Sequence, residues 1–478
     1  MLLKELLIAS SGELGEIQIK GITDDSRKVE EGYAYVCVVG TVSDGHNFAA
    51  SAIEKGAAVI IAQRDTGFSN QVIVEDTRAA YALMSAAWFS YPADKLRLIG
   101  VTGTNGKTSV THMIKHILEE NGEKVGLIGT IQNMIGDVVY STERTTPNCY
   151  ELNSLFADMV KEGCTCAVME VSSHALDQKR VFGLTFEVGI FTNLTQDHLD
   201  YHITMDNYLE AKKKLFSMCK TAVINIDDMY AQRLINGLEC KLITVSAEKT
   251  NASYYAQNID YRADGVSFDL NGENDMELSL STGGKFTVYN AMSAVVSSLV
   301  LGIDKQTVKK AICEQTGIKG RAEVFKNPFD FTVIIDYAHT PDGLENILKT
   351  FEECKKGRLV VLFGCGGDRD KTKRPIMGRI ASEKADFVIV TSDNPRSENP
   401  SAIICDILEG MKNTDTPYKV IENRIEAIEY AIINAQSDDI IVLAGKGHET
   451  YQILANETIH LDEREVLSVA MEKRKELK

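Results

Sequence analysis

At 478 residues the chain is long enough for two to four domains of about 100–200 residues each. Its 44% hydrophobic and 25% charged residues are those of an ordinary soluble globular protein, which excludes a disordered or fibrous class. A formal charge of −17 makes the body a poor non-specific partner for nucleic acid or anionic membrane, although anionic small molecules are held by local groups and stay open.

No run approaches the ~20 uninterrupted apolar residues that cross a bilayer. The opening MLLKELLIASSGELGEIQIK carries Lys4 and Glu5 inside its apolar stretch, which argues against a signal peptide. Cytoplasm is the expected location. The ten cysteines are scattered, and the close pair Cys164 and Cys166 lies in an expected strand. Two ligands do not make a metal site, so buried free thiols are expected in place of zinc or disulfides.

Residues 1 to about 93 read as short strands with a helix over about 47–56 (NFAASAIEKG), closing in YPADK. A second block opens with LRLIGVT and continues through KVGLIGT, CAVMEVS, EVGIFTN and TAVINID, each followed by helical or loop sequence. That alternation predicts a parallel sheet covered on both faces. Over 252–290 the pattern turns alternating and rich in Gly and Asn, which predicts an antiparallel hairpin. From Glu323 onward, FTVIIDY, RLVVLFG, DFVIVTS and DIIVLAG predict four more buried strands and a second α/β domain.

The strand LRLIGVT runs into Gly103-Thr104-Asn105-Gly106-Lys107-Thr108-Ser109, ahead of a helix with Met113, Ile114, Ile117 and Leu118 on one side. Glycines let backbone N–H groups approach phosphate oxygens, and the helix N-terminus adds partial positive charge. Lys107 is expected to reach the β- and γ-phosphates of ATP, and the Thr108 hydroxyl to ligate Mg²⁺. The usual phosphate loop has a glycine where this chain has Val101, with glycines at 100 and 103 instead.

MEVSSHALDQKR places Glu170 at a strand end, and TNLTQDHLDYH places Asn193, Asp197 and His198 at another. Ligands of parallel sheets sit beyond the carboxyl ends of the strands. Two neighbouring strands are thus expected to deliver a carboxylate and an imidazole to the triphosphate, a workable set for Mg²⁺ with phosphate and waters. In YLEAKKKLF, Lys213 and Lys214 read as a solvated helix face. After the strand ADFVIV comes TSDNPRSEN, a loop combining carboxylate, amide, proline and guanidinium. Its bland alternative is a loop arginine, Arg396, paired with Glu398.

These stretches, with GVTGTNGKTS, RTTPN, VINIDD, VYNAMSA, GRAEVF, DYAHTPDGLE, FGCGGDRDKTKRP, SDNPR and AGKGHE, occur in an order and density that resemble the Mur ligase family along nearly the whole chain. The resemblance implies an α/β protein of three domains: a small UDP-MurNAc-binding domain at 1–93, a central P-loop ATPase domain at 94–322, and a Rossmann-like amino-acid domain at 323–478. It implies that Lys212 is carbamylated and ligates Mg²⁺ together with Glu170 and His198. Ser26, Thr41, Val42 and Ser43 match the pocket for uridine and its diphosphate. Thr145, Thr146, Ser172, Gln178 and Arg180 match contacts to the muramyl-dipeptide. Asn290, Arg321 and Asp336 match nucleotide contacts. SDNPR matches the diaminopimelate form of its motif, with Asp393, Asn394, Pro395, Arg396, Arg369, Gly445 and Glu449 as the expected pocket. Asn148, where many relatives are acidic, and Cys365 are departures.

The implied activity is ATP-dependent, ADP-forming addition of meso-2,6-diaminopimelate to UDP-MurNAc-L-Ala-D-Glu through an acyl phosphate, in cytoplasmic peptidoglycan precursor synthesis, by a monomer that closes about a hinge near residue 322. The alternative within that reaction is L-lysine as the added amino acid. A folylpolyglutamate or cyanophycin synthetase is disfavoured by the DDSR and SDNPR blocks. A dinucleotide oxidoreductase is suggested only by Gly364, Gly366 and Gly367 after RLVVLFG, and lacks the expected acidic partner. A phosphate-loop switch without turnover is the remaining class.

Overall fold

The computed structural model describes residues 1–7, 12–40 and 43–477. The chain divides into two compact units, one of residues 1–246 with 293–308 and the other of residues 247–292 with 309–478.

The first unit holds two sheets. Strands β1 (Gly21–Thr23), β2 (Tyr33–Val36), β3 (Val59–Ala62) and β4 (Gln71–Ile73) form a parallel sheet in sequence order. The helix expected over 47–56 is a 3₁₀ turn, Gly45–Phe48, followed by an α-helix, Ala49–Glu54; Asp44 caps the turn by accepting the His46 N–H. The larger sheet comprises β5 (Arg97–Thr102), β6 (Val125–Ile128), β7 (Asn133–Ile135), β8 (Val138–Tyr140), β9 (Cys166–Glu170), β10 (Phe186–Phe191), β11 (Cys219–Asn225) and β12 (Lys241–Ser246). From β12 the order runs β11, β10, β5, β9, β6, all parallel, then β7 and β8 as antiparallel edge strands. Strands β6 and β9 are buried at every residue and β5 at all but Arg97, as a sheet covered on both faces requires.

In the second unit, β13 (Tyr254–Arg262), β14 (Gly265–Asn271) and β15 (Met276–Leu280) pair antiparallel, so the expected hairpin carries a third strand. Its other sheet has β16 (Glu323–Phe325), β17 (Thr332–Asp336), β18 (Leu359–Phe363), β19 (Phe387–Val390), β20 (Tyr418–Val420) and β21 (Ile440–Ala444), in the order β16-β17-β21-β18-β19-β20. All its pairs are parallel except β16 with β17. The four strands anticipated after Glu323 are β17, β18, β19 and β21. A small ribbon of β22 (Tyr451–Ile453) and β23 (Thr458–His460) follows.

All ten cysteines are free thiols. Cys166 opens β9, but Cys164 lies before the strand, so the C-x-C pair does not share a strand face. No helix among the described residues is long and apolar enough to cross a membrane. Asn148, the departure within RTTPN, is the N-cap of the helix Cys149–Lys161 and accepts the Glu151 N–H. Cys365 is buried, with its Sγ 3.7 Å from the Met377 sulfur.

Candidate functional site

In the first unit β5 is the centre strand, and the phosphate loop leaves its carboxyl end. Gly103 has φ 152°, and a Cβ there would lie 1.9 Å from Thr192 Oγ1, so only glycine fits. Gly106, at φ 86°, starts the helix Lys107–Glu120. The loop is fastened to the end of β10: Thr104 N–H donates to Asn193 O (2.9 Å), Asn105 N–H to Asn193 Oδ1 (2.9 Å), and Thr192 Oγ1 to Asn105 O (2.6 Å). Lys107 Nζ lies over the loop, donating to Gly103 O (2.9 Å) and Thr104 O (2.7 Å). Ser109 is half-buried in the first turn of that helix.

The strands carrying Glu170 and His198 are not neighbours, as the sequence had suggested. They are β9 and β10, which flank β5 on opposite sides. Each therefore borders the loop, and the two groups approach it from either side. Glu170 is 1% exposed and accepts from Thr108 Oγ1 (2.9 Å), Thr130 N (2.9 Å) and Thr130 Oγ1 (2.9 Å). A hydroxyl that donates to a carboxylate keeps lone pairs for a cation, so Thr108 is oriented as a metal ligand would be.

On the other side, His198 adopts φ 54° and stands edge-on to His174 at 4.9 Å. Burial pushes the His198 imidazole below its usual range, favouring the neutral form that ligates metals. Lys212, on the helix Met205–Lys213, is 1% exposed and donates to Gly103 O (2.8 Å), with its Nζ 4.4 Å from the centre of the Tyr208 ring. Burial, and then the nearby Lys107 charge, hold its amine well below the ordinary lysine range. Only a neutral amine adds CO₂, so the environment suits carbamylation. No cluster of three or more His, Cys, Asp or Glu side chains stands ready as a metal cage among the described residues. A sparse oxygen-rich set of carboxylate, hydroxyl, imidazole and carbamate fits Mg²⁺, which keeps waters and phosphate oxygens. Lys213 and Lys214 point elsewhere, to Asn236 O and Asp177.

The residues expected at the muramyl-dipeptide form one network with Glu170. Thr146 Oγ1 donates to Glu170 O (2.8 Å) and accepts from Ser172 N (3.0 Å). Thr145 Oγ1 lies 3.0 Å from Thr130 Oγ1. Arg180 donates to Thr146 O (2.8 Å) and Gln178 Oε1 (2.7 Å), and Gln178 donates to Tyr201 (3.2 Å). On the smaller sheet, the Ser26 carbonyl accepts from Lys55 (2.8 Å) and Ser43 is exposed. Thr41 and Val42 lie outside the described residues. Thr130 and Tyr208 escaped the sequence reading, since only tertiary contact brings them to the loop.

In the second unit, loops after the carboxyl ends of β18, β19 and β21 meet. Asn394 is the hub: its Oδ1 accepts from Lys446 Nζ (2.9 Å) and Ile453 N (3.0 Å), and its Nδ2 donates to Glu449 (3.0 Å). Lys446, fully buried, was not singled out in the sequence. Asp393 is 8% exposed; its Oδ1 accepts the Asn394 N–H while its Oδ2 has no hydrogen-bond partner among the described residues. Gly445, at φ 116°, leaves room beside that oxygen, which a Cβ would meet at 2.6 Å. Pro395 is buried between these groups and Arg396, whose φ is 50°. Arg396 Nη1 donates to Gly367 O (2.8 Å) and Asn394 O (3.5 Å), and the side chain has no ion-pair partner among the described residues. Glu398, the partner of the bland alternative, is bound by Arg374 and Lys371 instead. Arg369 is exposed on the loop after β18.

Arg321 lies over the Tyr337 ring at 5.3 Å, with its Nε buried and without a hydrogen-bond partner among the described residues. Asp336, at the end of β17, accepts from Ala322 N (2.7 Å) and Ala338 N (2.8 Å). Asn290 is 4% exposed on the helix Lys285–Val300. A cleft of about 940 Å³, lined by Arg262, Lys326, Phe329 and Asp438, includes none of the anticipated residues and opens at the amino ends of β17 and β21.

Three family patterns match in order: the Mur ligase family catalytic domain at residues 18–87, the Mur ligase middle domain at 101–298, and the Mur ligase glutamate ligase domain at 320–447. The chain is 49% identical to UDP-N-acetylmuramoyl-L-alanyl-D-glutamate–2,6-diaminopimelate ligase 1 of Clostridium acetobutylicum, covering 95% of this chain and 94% of that one. It is 49% identical to the ligase of the same activity from Caldanaerobacter subterraneus, covering 94% of each. A solved structure of such a ligase superposes with a TM-score of 0.76 at 33% identity, covering 99% of both chains.

Proposed function

The chain belongs to the Mur ligase family, and from that membership we propose that it is the ATP-dependent, ADP-forming ligase that joins meso-2,6-diaminopimelate to UDP-MurNAc-L-Ala-D-Glu. The product, UDP-MurNAc-tripeptide, serves peptidoglycan precursor synthesis in the cytoplasm. The observation that carries the choice of amino acid is one loop. Arg396, with no carboxylate partner among the described residues, stands three residues from Asp393, whose Oδ2 is buried and unpartnered. A guanidinium and a spare carboxylate oxygen complement the carboxylate and ammonium at the far end of meso-diaminopimelate. L-Lysine has only the ammonium there.

The reaction has two steps. A γ-carboxylate oxygen of the D-Glu residue attacks the γ-phosphorus of ATP, the bond to ADP breaks, and an acyl phosphate forms. The amine attacks the acyl carbon, and phosphate departs as the amide forms, the proton lost from the nitrogen ending on the released hydrogen phosphate. Such transfers ask chiefly for alignment and charge neutralisation. Lys107 exchanges its loop carbonyls for phosphate oxygens, and the loop N–H groups from Gly103 to Ser109 cradle them. Thr108, Glu170, His198 and a carbamylated Lys212 would hold Mg²⁺, which would supply charge neutralisation at the phosphates. Thr145, Thr146, Ser172, Gln178 and Arg180 hold the muramyl-dipeptide, a reading supported by the bond of Thr146 to the Glu170 carbonyl and by the contact of Thr145 with Thr130. Ser26, Thr41, Val42 and Ser43 hold the uridine end. Asn290, Arg321 and Asp336 serve the nucleotide. Arg369, Asp393 to Arg396, Gly445 and Glu449 form the amino-acid pocket. The working unit is a monomer, divided at 1–93, 94–322 and 323–478.

ADP release measured with UDP-MurNAc-L-Ala-D-Glu and a panel of amino acids tests the reading. Meso-diaminopimelate should exceed L-lysine in kcat/KM by at least about a hundredfold, because a site built for a polar group rejects the analogue lacking it. Equal turnover of L-lysine would overturn the assignment of the amino acid.

A further inference from the structure

Arg396 has no carboxylate partner among the described residues, although its loop is rich in acid. Glu398 is two residues away, Asp368 lies across the loop, and Glu449 is at the rim. Each of these is already engaged. Glu449 accepts from Asn394 and Lys446. Asp368 accepts from Ser397 N (3.1 Å) and Ser397 Oγ (2.7 Å). Glu398 is claimed most heavily: Arg374 Nη2 donates to its Oε1 (2.8 Å) and Nη1 to its Oε2 (3.1 Å), Asp368 N–H reaches Oε1 (2.7 Å), and Lys371 Nζ lies 2.9 Å from Oε2.

Arg374 is built into the fold for this. It is fully buried near the start of the helix Lys373–Lys384, and Nη1 also donates to Asp406 Oδ2 (2.9 Å). Its fork meets the Glu398 carboxylate with two parallel N–H···O bonds, the geometry that fixes both direction and register. The backbone turns Glu398 toward it: Glu398 N–H donates to Pro395 O (3.1 Å), and Gly367 presses against that same carbonyl so closely that a Cβ would lie 1.9 Å from it.

We propose that Arg374 is a positioning residue for amino-acid selection: by holding Glu398 it prevents an internal Arg396–Glu398 pair and keeps the Arg396 guanidinium available for the far carboxylate of the incoming amino acid. This rests on the reading of Arg396 given above. Without Arg374, Glu398 competes with the substrate for Arg396 from two residues away, and binding of the amino acid must first break that pair. The effect belongs to amino-acid binding, so it enters KM and spares the chemical step.

The test is steady-state ADP release with the full-length enzyme, varying meso-diaminopimelate, for wild type, Arg374→Met, Arg374→Lys and the double variant Arg374→Met/Glu398→Gln. Thermal denaturation is recorded for each. Arg374→Met should raise KM for meso-diaminopimelate at least about tenfold, with kcat within about twofold and KM for ATP unchanged. The double variant, which removes the competing charge together with its holder, should return KM to within about threefold of wild type. Arg374→Lys, a point charge shared between Glu398 and Asp406, should fall between. If Arg374→Met does not fold, the comparison of Arg374→Lys with Arg374→Lys/Glu398→Gln decides in the same way. An unchanged KM, or a KM that stays high after Glu398 is neutralised, overturns the proposal and leaves Arg374 a structural anchor. Failure of the wild type to prefer meso-diaminopimelate would instead count against the functional reading itself.

Discussion

Lys212 shows how a single position acquires its chemistry from its surroundings. An exposed lysine is a protonated point charge, but this one is enclosed, and burial followed by the Lys107 charge disfavours its ammonium form. Its amine donates to the phosphate-loop carbonyl Gly103 O, which places any added carboxylate beside the loop. Lys212→Ala should therefore be folded but nearly inactive, and short carboxylic acids should restore part of the ADP-release rate by standing in for the carbamate. Full activity without added acid would refute that role. The lysine's place fourteen residues after His198 was visible in the sequence. Its near-complete burial was not, because the order of residues on a helix gives no measure of how far distant segments close over one of them.

At the scale of elements, the site depends on strand ends held against one another. The phosphate loop is tied to the end of β10 so closely that Gly103 touches Thr192. Gly103→Ala combines a backbone conformation that L side chains rarely adopt with a steric collision, and should lower stability by about 1–3 kcal/mol while abolishing ATP binding. Chemical denaturation and nucleotide titration measure the two effects separately. The segments after β9 and β10, with the short helices Ser173–Asp177 and Leu199–His202, also bring His174, His198 and His202 together. Burial, followed by the neighbouring imidazoles, lowers His174 to about 4. Between about pH 6.5 and 4 the unfolded chain then binds more protons at this residue than the folded one, so its contribution to stability is present above pH 6.5 and is lost as pH falls. The melting temperature should drop across that window, and His174→Gln should flatten the slope; an identical slope in the variant would exclude the assignment. Element identities followed from apolar runs bounded by glycine, but adjacency did not. Glu170 and His198 read as coming from neighbouring strands, and the sheet instead placed β5 between them, because strand order depends on which faces the crossover helices cover.

For the whole molecule, the separation into two compact units predicts separable ligand effects. Arg396 belongs to the second unit and Ser26 to the turn between β1 and β2 of the first, each unit with its own core. Arg396→Lys should cost about 2–4 kcal/mol in kcat/KM for meso-diaminopimelate, since a desolvated carboxylate loses its bidentate partner. Its affinity for UDP-MurNAc-L-Ala-D-Glu, measured by calorimetry, should stay at the wild-type value, and a matching loss there would contradict the division of labour. The α/β class, the phosphate loop and the family were determined by the sequence alone, because buried parallel strands, glycine turns and the SDNPR and AGKGHE motifs are local patterns that survive in one dimension. Tertiary structure alone decided which charges meet. Glu398 stands two residues from Arg396 and is the bland alternative for its partner, yet the helix beginning at Lys373 brings in Arg374 to take it. Nothing in the spacing of the chain announces that choice, because the pairing of charges is set by the folding of distant segments onto one another and not by their order.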